Sequence, residues 1–563
     1  MRIFAAIVLA SATTLAQPPV PAAPDILYIR GNILTGAHLQ PSDPSRTPPR
    51  VTAIAVAHGT VTAVGSDAEI LKLKSATTTV IDLHGGFAMP GFNDAHTHIA
   101  SAGRQKLTVD LDGTASLAEM LSRIRTYAAS APQGTWLEGS GWDHTKWPSA
   151  RLPTRTDLDA VTGGHPAIFT RTDGHIVVVN SAALAAAGIT AATPSPAGGQ
   201  IDHDAAGQLT GIVREGPAIA LLTAHIPPPS PEDRRRALSL SIDDALSHGV
   251  TSVQDFSDWQ DFLVLAELER QGKLHLRVSE WLAFDTPLAR LKERRASHDP
   301  NDPLLHIGML KAFMDGSLGS RTAALAAPYS DDPTNSGIRR YEQAKLNQMS
   351  AERAAAGFQL GFHAIGDQAN HMALDAFTAS AQTPNSRFRI EHAQVLLTAD
   401  FDRFHQLGVI ASMQPVHLLT DMNWAAARLG PERARYSYAW RSMLDQHIPL
   451  AFGTDYPVES INPMRGLYAA ITRQNEAGNA TYQPQEKITL SEAIYAYTQG
   501  SAFAEFRERT KGRLEAGFLA DIVVLDRDIT SPATTPQQLL HTRVLRTIVN
   551  GETVYEATKP PAP

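Results

Sequence analysis

Eight short apolar runs, separated by amphipathic stretches, constrain this 563-residue chain more than any other feature. They are Phe87 to Ile99, Val250 to Phe256, Leu276 to Phe284, Ile307 to Met314, Gln359 to Ile365, Phe388 to Ala393, Val409 to Gln414 and Leu450 to Asp455. Short apolar strands alternating with helical patterns describe an α/β fold with a parallel sheet. Eight βα units describe a (β/α)8 TIM-like barrel, with its chemistry at the carboxyl ends of the strands. The gap of about 150 residues between the first and second runs is too long for a βα connection. It reads as an insertion after strand 1, a lobe over about 100–240 containing Trp142 and Trp147, for which aromatic packing or a pocket wall are the two readings.

Both chain ends have a different character. Asp25 to Leu34, Val51 to Gly65 and Thr77 to Asp82 are strand-like, as are Asp521 to Asp526 and Val544 to Val549, which leads through Asn550-Gly551 into Glu552 to Tyr555. Asn-Gly between alternating apolar runs signals a tight turn. The expectation is a small β-sandwich built from residues 25–86 and 509–556, flanking a barrel at 87–508. Residues 1–16 read as a signal peptide: Arg2, an apolar core from Ile3 to about Leu9, then small residues ending at Ala16. A Pro/Ala-rich tether (17–24) follows, and 557–563 form a tail. Export to a periplasm or the cell exterior is expected.

A net charge of −8 argues against a nucleic-acid partner. No later run reaches the roughly 18 apolar residues of a membrane span, so no transmembrane anchor is expected. With no cysteine in the chain, a metal site has to be built from His, carboxylates and Lys. The first strand ends in Asp94-Ala95-His96-Thr97-His98. Residues i and i+2 of a strand share a face, so His96 and His98 can grip one ion, with Asp94 orienting or supplementing them. Lys311 interrupts the fourth run, His363 the fifth and His392 the sixth, and Asp455 ends the eighth. Each interrupts apolar sequence, where burial penalises a polar group without a partner. Singly, Lys311 could pair with Asp315, His392 could be a satisfied core histidine, and Asp455 could cap a helix. Together they meet at one barrel mouth.

His-x-His followed by Lys, His, His and Asp on successive strands resembles the metal signature of the amidohydrolase superfamily. The segment Lys311 to Arg321, KAFMDGSLGSR, then Thr322 to Leu325, with Asp173-Gly174-His175 and Asn180-Ser181 in the lobe, is similar to its YtcJ-like branch, which includes N-substituted formamide deformylase. The resemblance implies that His96 and His98 bind the more buried of one or two divalent ions, with Zn²⁺ as first candidate. It implies that His363 and His392 bind a second ion, and that Lys311 bridges the two as a CO2-derived carbamate. It implies that Asp455 touches the metal and moves the proton. The activity implied is hydrolysis of a non-peptide C–N bond in an amide, N-substituted formamide or cyclic amide by attack of metal-bound hydroxide, Asp455 acting as base and then acid.

Alternatives are an ester, carbamate or dipeptide-like substrate at the same site, or a non-catalytic exported binding protein. The partner is a small-molecule substrate, and a homo-oligomer is left open. Further substrate-binding candidates are Asp315 and Arg321 around a Gly/Ser loop, His417 after the seventh run, and Asp173 and His175 from the lobe. Asp315 with Arg321 could instead be a loop ion pair, His417 a loop histidine, and Asp173-Gly174 a turn.

Overall fold

The computed structural model describes residues 23–39, 48–380 and 384–558. The expected signal peptide at 1–16 therefore lies outside the described residues, as do 17–22 of the tether and 559–563 of the tail.

Eight strands lie side by side in chain order in one sheet: β1 (Phe92–Thr97), β2 (Val250–Asp255), β3 (Arg277–Ala283), β4 (Leu305–Phe313), β5 (Leu360–Ala364), β6 (Arg389–His392), β7 (Ile410–Met413) and β8 (Leu450–Phe452). Every neighbouring pair is parallel, so each connection must cross back outside the sheet. Helices make these crossings, such as Trp259–Arg270 after β2 and Asp367–Ala379 after β5. The two-residue strand period sorts the side chains. Val253, Val278, Leu310, Phe362, Ile390 and Met413 join the large apolar core between strands and helices. Their alternates face the barrel axis and are mostly polar: Gln254, Lys311, His363, Arg389, Glu391 and Ser412 are all buried. Arg389 bonds to Gln254, Ser412 and the Ala95 carbonyl, tying β6 to β2, β7 and β1 across the barrel.

Closure comes just beyond the end of β8. Asp455 N donates to His96 O and His98 N to Tyr456 O, each at 2.8 Å. The Asp94 carboxylate reinforces this seam, accepting from His96 N (3.1 Å), Thr454 N (3.0 Å) and the Thr454 hydroxyl (2.6 Å). Gly453 permits the approach, because a Cβ there would lie 2.6 Å from both Asp94 Oδ1 and His96 N. Asp94 is thus a seam acceptor beneath the His pair. The residues that close the barrel are the same ones that bear its polar rim.

The insertion carries its own six-stranded sheet, in the order 200–203, 209–214, 176–179, 167–171, 137–142 and 109–110. Ile176 and Val178 pack into one apolar cluster, Val177 and Val179 into another, so this sheet is covered on both faces. Trp142 and Trp147 belong to the first cluster and donate their indole N–H groups to Phe169 O and Thr114 O. Packing is therefore their role.

The chain ends form the expected sandwich. One sheet orders strands 60–65, 53–57, 26–29 and 79–82; the other orders 552–556, 544–549, 522–525, 87–90, 32–34 and 50–51. Tyr28, Ile54 and Val61 meet Ile33, Ala88, Val524 and Ile548 between them. Asn550 (φ 54°) and Gly551 (φ 74°) make the tight turn with two left-handed residues. The run Phe87 to Ile99 proves to be two strands either side of Gly91: Phe87–Pro90 pairs with 522–525 in the sandwich, and β1 begins at Phe92. Both halves are buried throughout, but the first is apolar (Phe87–Pro90) and the second carries Asn93, Asp94, His96 and Thr97.

Candidate metal centre

Five strands deliver side chains to the carboxyl rim. His96 lies near the end of β1 with His98 just beyond, Lys311 in β4, His363 in β5, His392 at the end of β6, and Asp455 three residues past β8. His392 (φ 73°) and Asp455 (φ 60°) hold left-handed backbone conformations, which cost a non-glycine residue about 1–3 kcal/mol and cluster at functional sites.

Asp455 is the hub. Its Oδ1 lies 3.1 Å from His98 Nε2 and 3.5 Å from His96 Nε2, and its Oδ2 lies 3.7 Å from His417 Nε2. Two ligand-like groups share it, His96/His98/Asp455 and His392/His417/Asp455, with donor atoms within 4.8 Å of one another in each. Lys311 Nζ approaches His96 Nε2 at 2.7 Å. The His363 ring lies 4.4 Å from that of His392, centroid to centroid.

Three imidazoles have one nitrogen committed outward. His98 Nδ1 donates to Phe256 O (3.0 Å), His363 Nε2 to Gly316 O (3.1 Å), and His96 Nδ1 lies 3.0 Å from Glu391 Oε2. A carbonyl or carboxylate can only accept, so His96 and His363 carry their proton on that nitrogen and keep the other lone pair, the arrangement metal-ligating histidines adopt. His98 faces acceptors with both nitrogens, Phe256 O and Asp455 Oδ1, and its Nε2 becomes a ligand only when an ion takes the place of the second contact. Burial pushes His96, His363 and His392 far below the ordinary imidazole range, aided by neighbouring cations such as Lys311. Burial alone would raise Asp455, but the His98 bond and nearby His417 and Lys311 outweigh it and keep the carboxylate ionised. His392 Nδ1 and His417 Nε2 are buried with no hydrogen-bond partner. Neutral imidazoles, an anionic carboxylate and two orphaned ring nitrogens make a donor set that fits a divalent ion.

The lobe roofs this rim. A cleft of about 890 Å³ runs past His98, Phe313, His363, His392 and Asp455 to the lobe, while a recess of about 50 Å³ lies on the other side, bounded by His417, Trp424 and Glu459. Of the substrate candidates, His175 and Asp173 line both spaces and His417 the recess. His175 Nδ1 is 2.9 Å from Glu215 Oε2; burial opposes its charge, but that carboxylate raises the imidazole above its usual range. Asp173 is tied to Arg171, Ser317 and Ser320 at 2.5 Å each. Asp315 is fully buried and accepts the backbone N–H groups of Ala324, Ile365 and Gly366, fixing the turn after β5 rather than facing the cleft. Arg321 lines neither space; it pairs with Asp331 at 2.8 Å, so the loop ion pair exists with a partner other than Asp315. Sequence reasoning passed over Glu391, Glu215 and the buried Arg171–Asp143 pair (2.5 Å). For Glu391 a signal was present: Arg389 and Glu391 alternate within an apolar run, which places opposite charges on one buried face.

A parallel eight-stranded barrel with imidazoles and a shared carboxylate on its carboxyl rim defines a class, the metal-dependent barrel hydrolases. Within that class the chain belongs to the amidohydrolase family, whose model matches residues 79–555. It is 33% identical to Protein LONG AFTER FAR-RED 3 of Arabidopsis thaliana, over 96% of this chain and 93% of the relative. It is 32% identical to the putative amidohydrolase YtcJ of Bacillus subtilis (90% and 96% covered), and 30% to N-substituted formamide deformylase of Arthrobacter pascens (90% and 95%). A crystal structure of an uncharacterized metal-dependent hydrolase from Pyrococcus furiosus superposes with a TM-score of 0.70 at 31% identity, covering 91% of this chain and 99% of that one.

Proposed function

We propose that the protein hydrolyses a non-peptide C–N bond, in an amide, N-substituted formamide or cyclic amide, with Zn²⁺ as the ion held by His96, His98, Lys311, His363, His392 and Asp455. The observation that carries this reading is the Asp455 carboxylate, shared by two imidazole groups and opening onto the cleft, with His98, His417 and Lys311 around it favouring its charged form. A divalent ion bound there supplies Lewis acidity, polarising a carbonyl oxygen and acidifying water. Asp455 accepts the proton released from water and returns it to the leaving nitrogen. His175, which lines both spaces, and His417, which lines the recess, contact the substrate.

The two unequal spaces support an amide with one small arm. The 50 Å³ recess takes a compact acyl group, and the 890 Å³ cleft takes the amine-side substituent. The 30% identity to N-substituted formamide deformylase over nearly the whole chain points the same way. Lys311 is buried, which pushes its amine down to about 8 despite the nearby Glu391 and Asp455 charges. A fraction of it is therefore neutral at pH 7 and able to add CO2, losing a proton and becoming an anionic carbamate ligand when two ions bind. The 1–16 segment supports export of the mature enzyme.

The test is metal analysis of the purified protein followed by assay against matched amides, formamides and esters. Zinc-loaded protein should cleave the formamide or amide and release the free amine. Asp455→Asn should keep its metal and lose about 10²–10⁴-fold in turnover. Folded protein that takes up no metal, or an Asp455→Asn variant of wild-type activity, would refute the reading.

A further inference from the structure

The three outward-bonded imidazoles of the rim are not held alike. His98 Nδ1 bonds a neutral main-chain carbonyl and His363 Nε2 bonds another, with Asp315 Oδ1 farther off at 3.5 Å, whereas the nearest acceptor to His96 Nδ1 is a carboxylate, Glu391 Oε2 at 3.0 Å. Neither His96 nor Glu391 has any measurable exposure. Glu391 is in turn gripped by Arg389, with Nε to Oε1 at 2.5 Å and Nη2 to Oε2 at 3.2 Å. Arg389 is itself anchored by the Ala95 carbonyl (2.8 Å), Ser412 Oγ (2.7 Å) and Gln254. Trp281 walls off the row, with its ring 5.2 Å from that of His96 and 5.1 Å from the Arg389 guanidinium carbon.

We infer that Glu391 is a positioning residue: it holds the proton of His96 on Nδ1 and aims Nε2 at the metal position, and Arg389 orients Glu391 and balances its charge. Two alternatives are physically distinct. Glu391 could serve only to neutralise Arg389 inside the barrel, or His96 could be oriented by packing against Trp281 alone. The geometry favours the positioning role because Oε2 is shared: it accepts from Arg389 while lying 3.0 Å from the one nitrogen of His96 that faces away from Lys311 and Asp455, closer than the Gln414 amide nitrogen at 3.4 Å. A carboxylate behind an imidazole raises its basicity and fixes its tautomer, and removing such a partner costs metal sites about 10–100-fold in affinity. The inference rests on the metal reading of the rim and on no particular substrate.

The experiment uses full-length protein labelled with ¹⁵N-histidine. Zinc affinity is measured by chelator competition, and the His96 tautomer by long-range ¹H–¹⁵N NMR on metal-free protein, assigned with His96→Gln. Wild type should carry the His96 proton on Nδ1. Glu391→Gln has one acceptor oxygen for three N–H donors, two of Arg389 and one of His96, and should lose that tautomer preference and about 10–100-fold in zinc affinity. Because this variant leaves Arg389 short of a charge partner, the paired Arg389→Met/Glu391→Met variant is made as well. If Glu391 only neutralised Arg389, the pair would recover wild-type affinity; the positioning role requires it to stay weak. Wild-type zinc affinity in the folded pair, or a His96 proton on Nε2 in the wild type, overturns the inference. Inactivity towards every amide would refute the proposed reaction and leave these two readouts standing.

Discussion

Asp94→Ala should open the barrel at its rim, whereas Asp94→Asn should not. Asp94 is buried between β1 and the segment after β8, where its Oδ1 accepts two backbone N–H groups, from His96 and Thr454. Alanine leaves both donors without a partner at about 1–3 kcal/mol each, or about 2–6 kcal/mol in all. Asparagine keeps an oxygen for both and turns its NH2 towards Thr454 Oγ1, 2.6 Å from Oδ2 in the native protein. It also removes less charge than at an ordinary aspartate, because burial pushes this carboxyl up to about 7 in spite of its hydrogen bonds, leaving it only partly ionised near neutral pH. The cost of Asn should therefore stay within about 1 kcal/mol, the net worth of a single hydrogen bond. Hydrogen exchange followed by mass spectrometry resolves the difference locally. In Asp94→Ala, peptides covering 92–98 and 450–456 should exchange at least about 30-fold faster, since 1.4 kcal/mol is tenfold. Equal damage from Asn and Ala would show that charge, not acceptor geometry, closes the seam. Acceleration spread evenly over all eight strands would show that the seam is not a local unit.

Two further perturbations test the packing and electrostatics that support the site. Gly103→Ala places a Cβ 1.8 Å from the Ala237 carbonyl oxygen, forcing helix Ile99–Leu107 away from helix Pro231–Ser247. The cost should reach the upper end of the 1–3 kcal/mol typical of overpacking, read as a lower denaturation midpoint, while exposed Ser101→Ala on the same helix stays within about 0.5 kcal/mol. Asp244 accepts from Tyr456 OH (2.5 Å) and pairs with Lys106 (2.9 Å) beside His248. Burial works against its charge, but these three partners hold the carboxyl well below the usual carboxylate range. Its contribution is thus fully present above its unfolded pKa of about 3.9 and is lost as pH falls through the lower folded value. Asp244→Asn should flatten the fall in stability below about pH 5, and an unchanged slope would remove Asp244 from the account.

Much of the architecture is legible in the chain. The eight runs appear as eight barrel strands because a parallel strand covered by helices must be apolar on its outer face, and that requirement is written locally. The rim residues are legible for the converse reason: Lys311, His363 and His392 interrupt buried sequence, which is tolerated only where a partner waits. The terminal sandwich could be anticipated from Asn550-Gly551 and the strand-like ends. Three things could not. Phe87 to Ile99 serves two sheets, Arg321 turns to Asp331 and away from the cleft, and Asp315 turns inward to bind backbone amides.

Residue order and the strand period establish which side chains share a face, and hence the chemistry available at the rim. Whether Glu391 stands behind His96, Asp94 reaches Thr454, or the lobe lowers His175 over the cleft depends on pairs far apart in sequence. Their separations are set by the register of eight strands and by closure at Asp455–His96, a cooperative outcome of the whole barrel. Local sequence specifies the ligands, but the ring of backbone bonds around the barrel sets the distances at which they act.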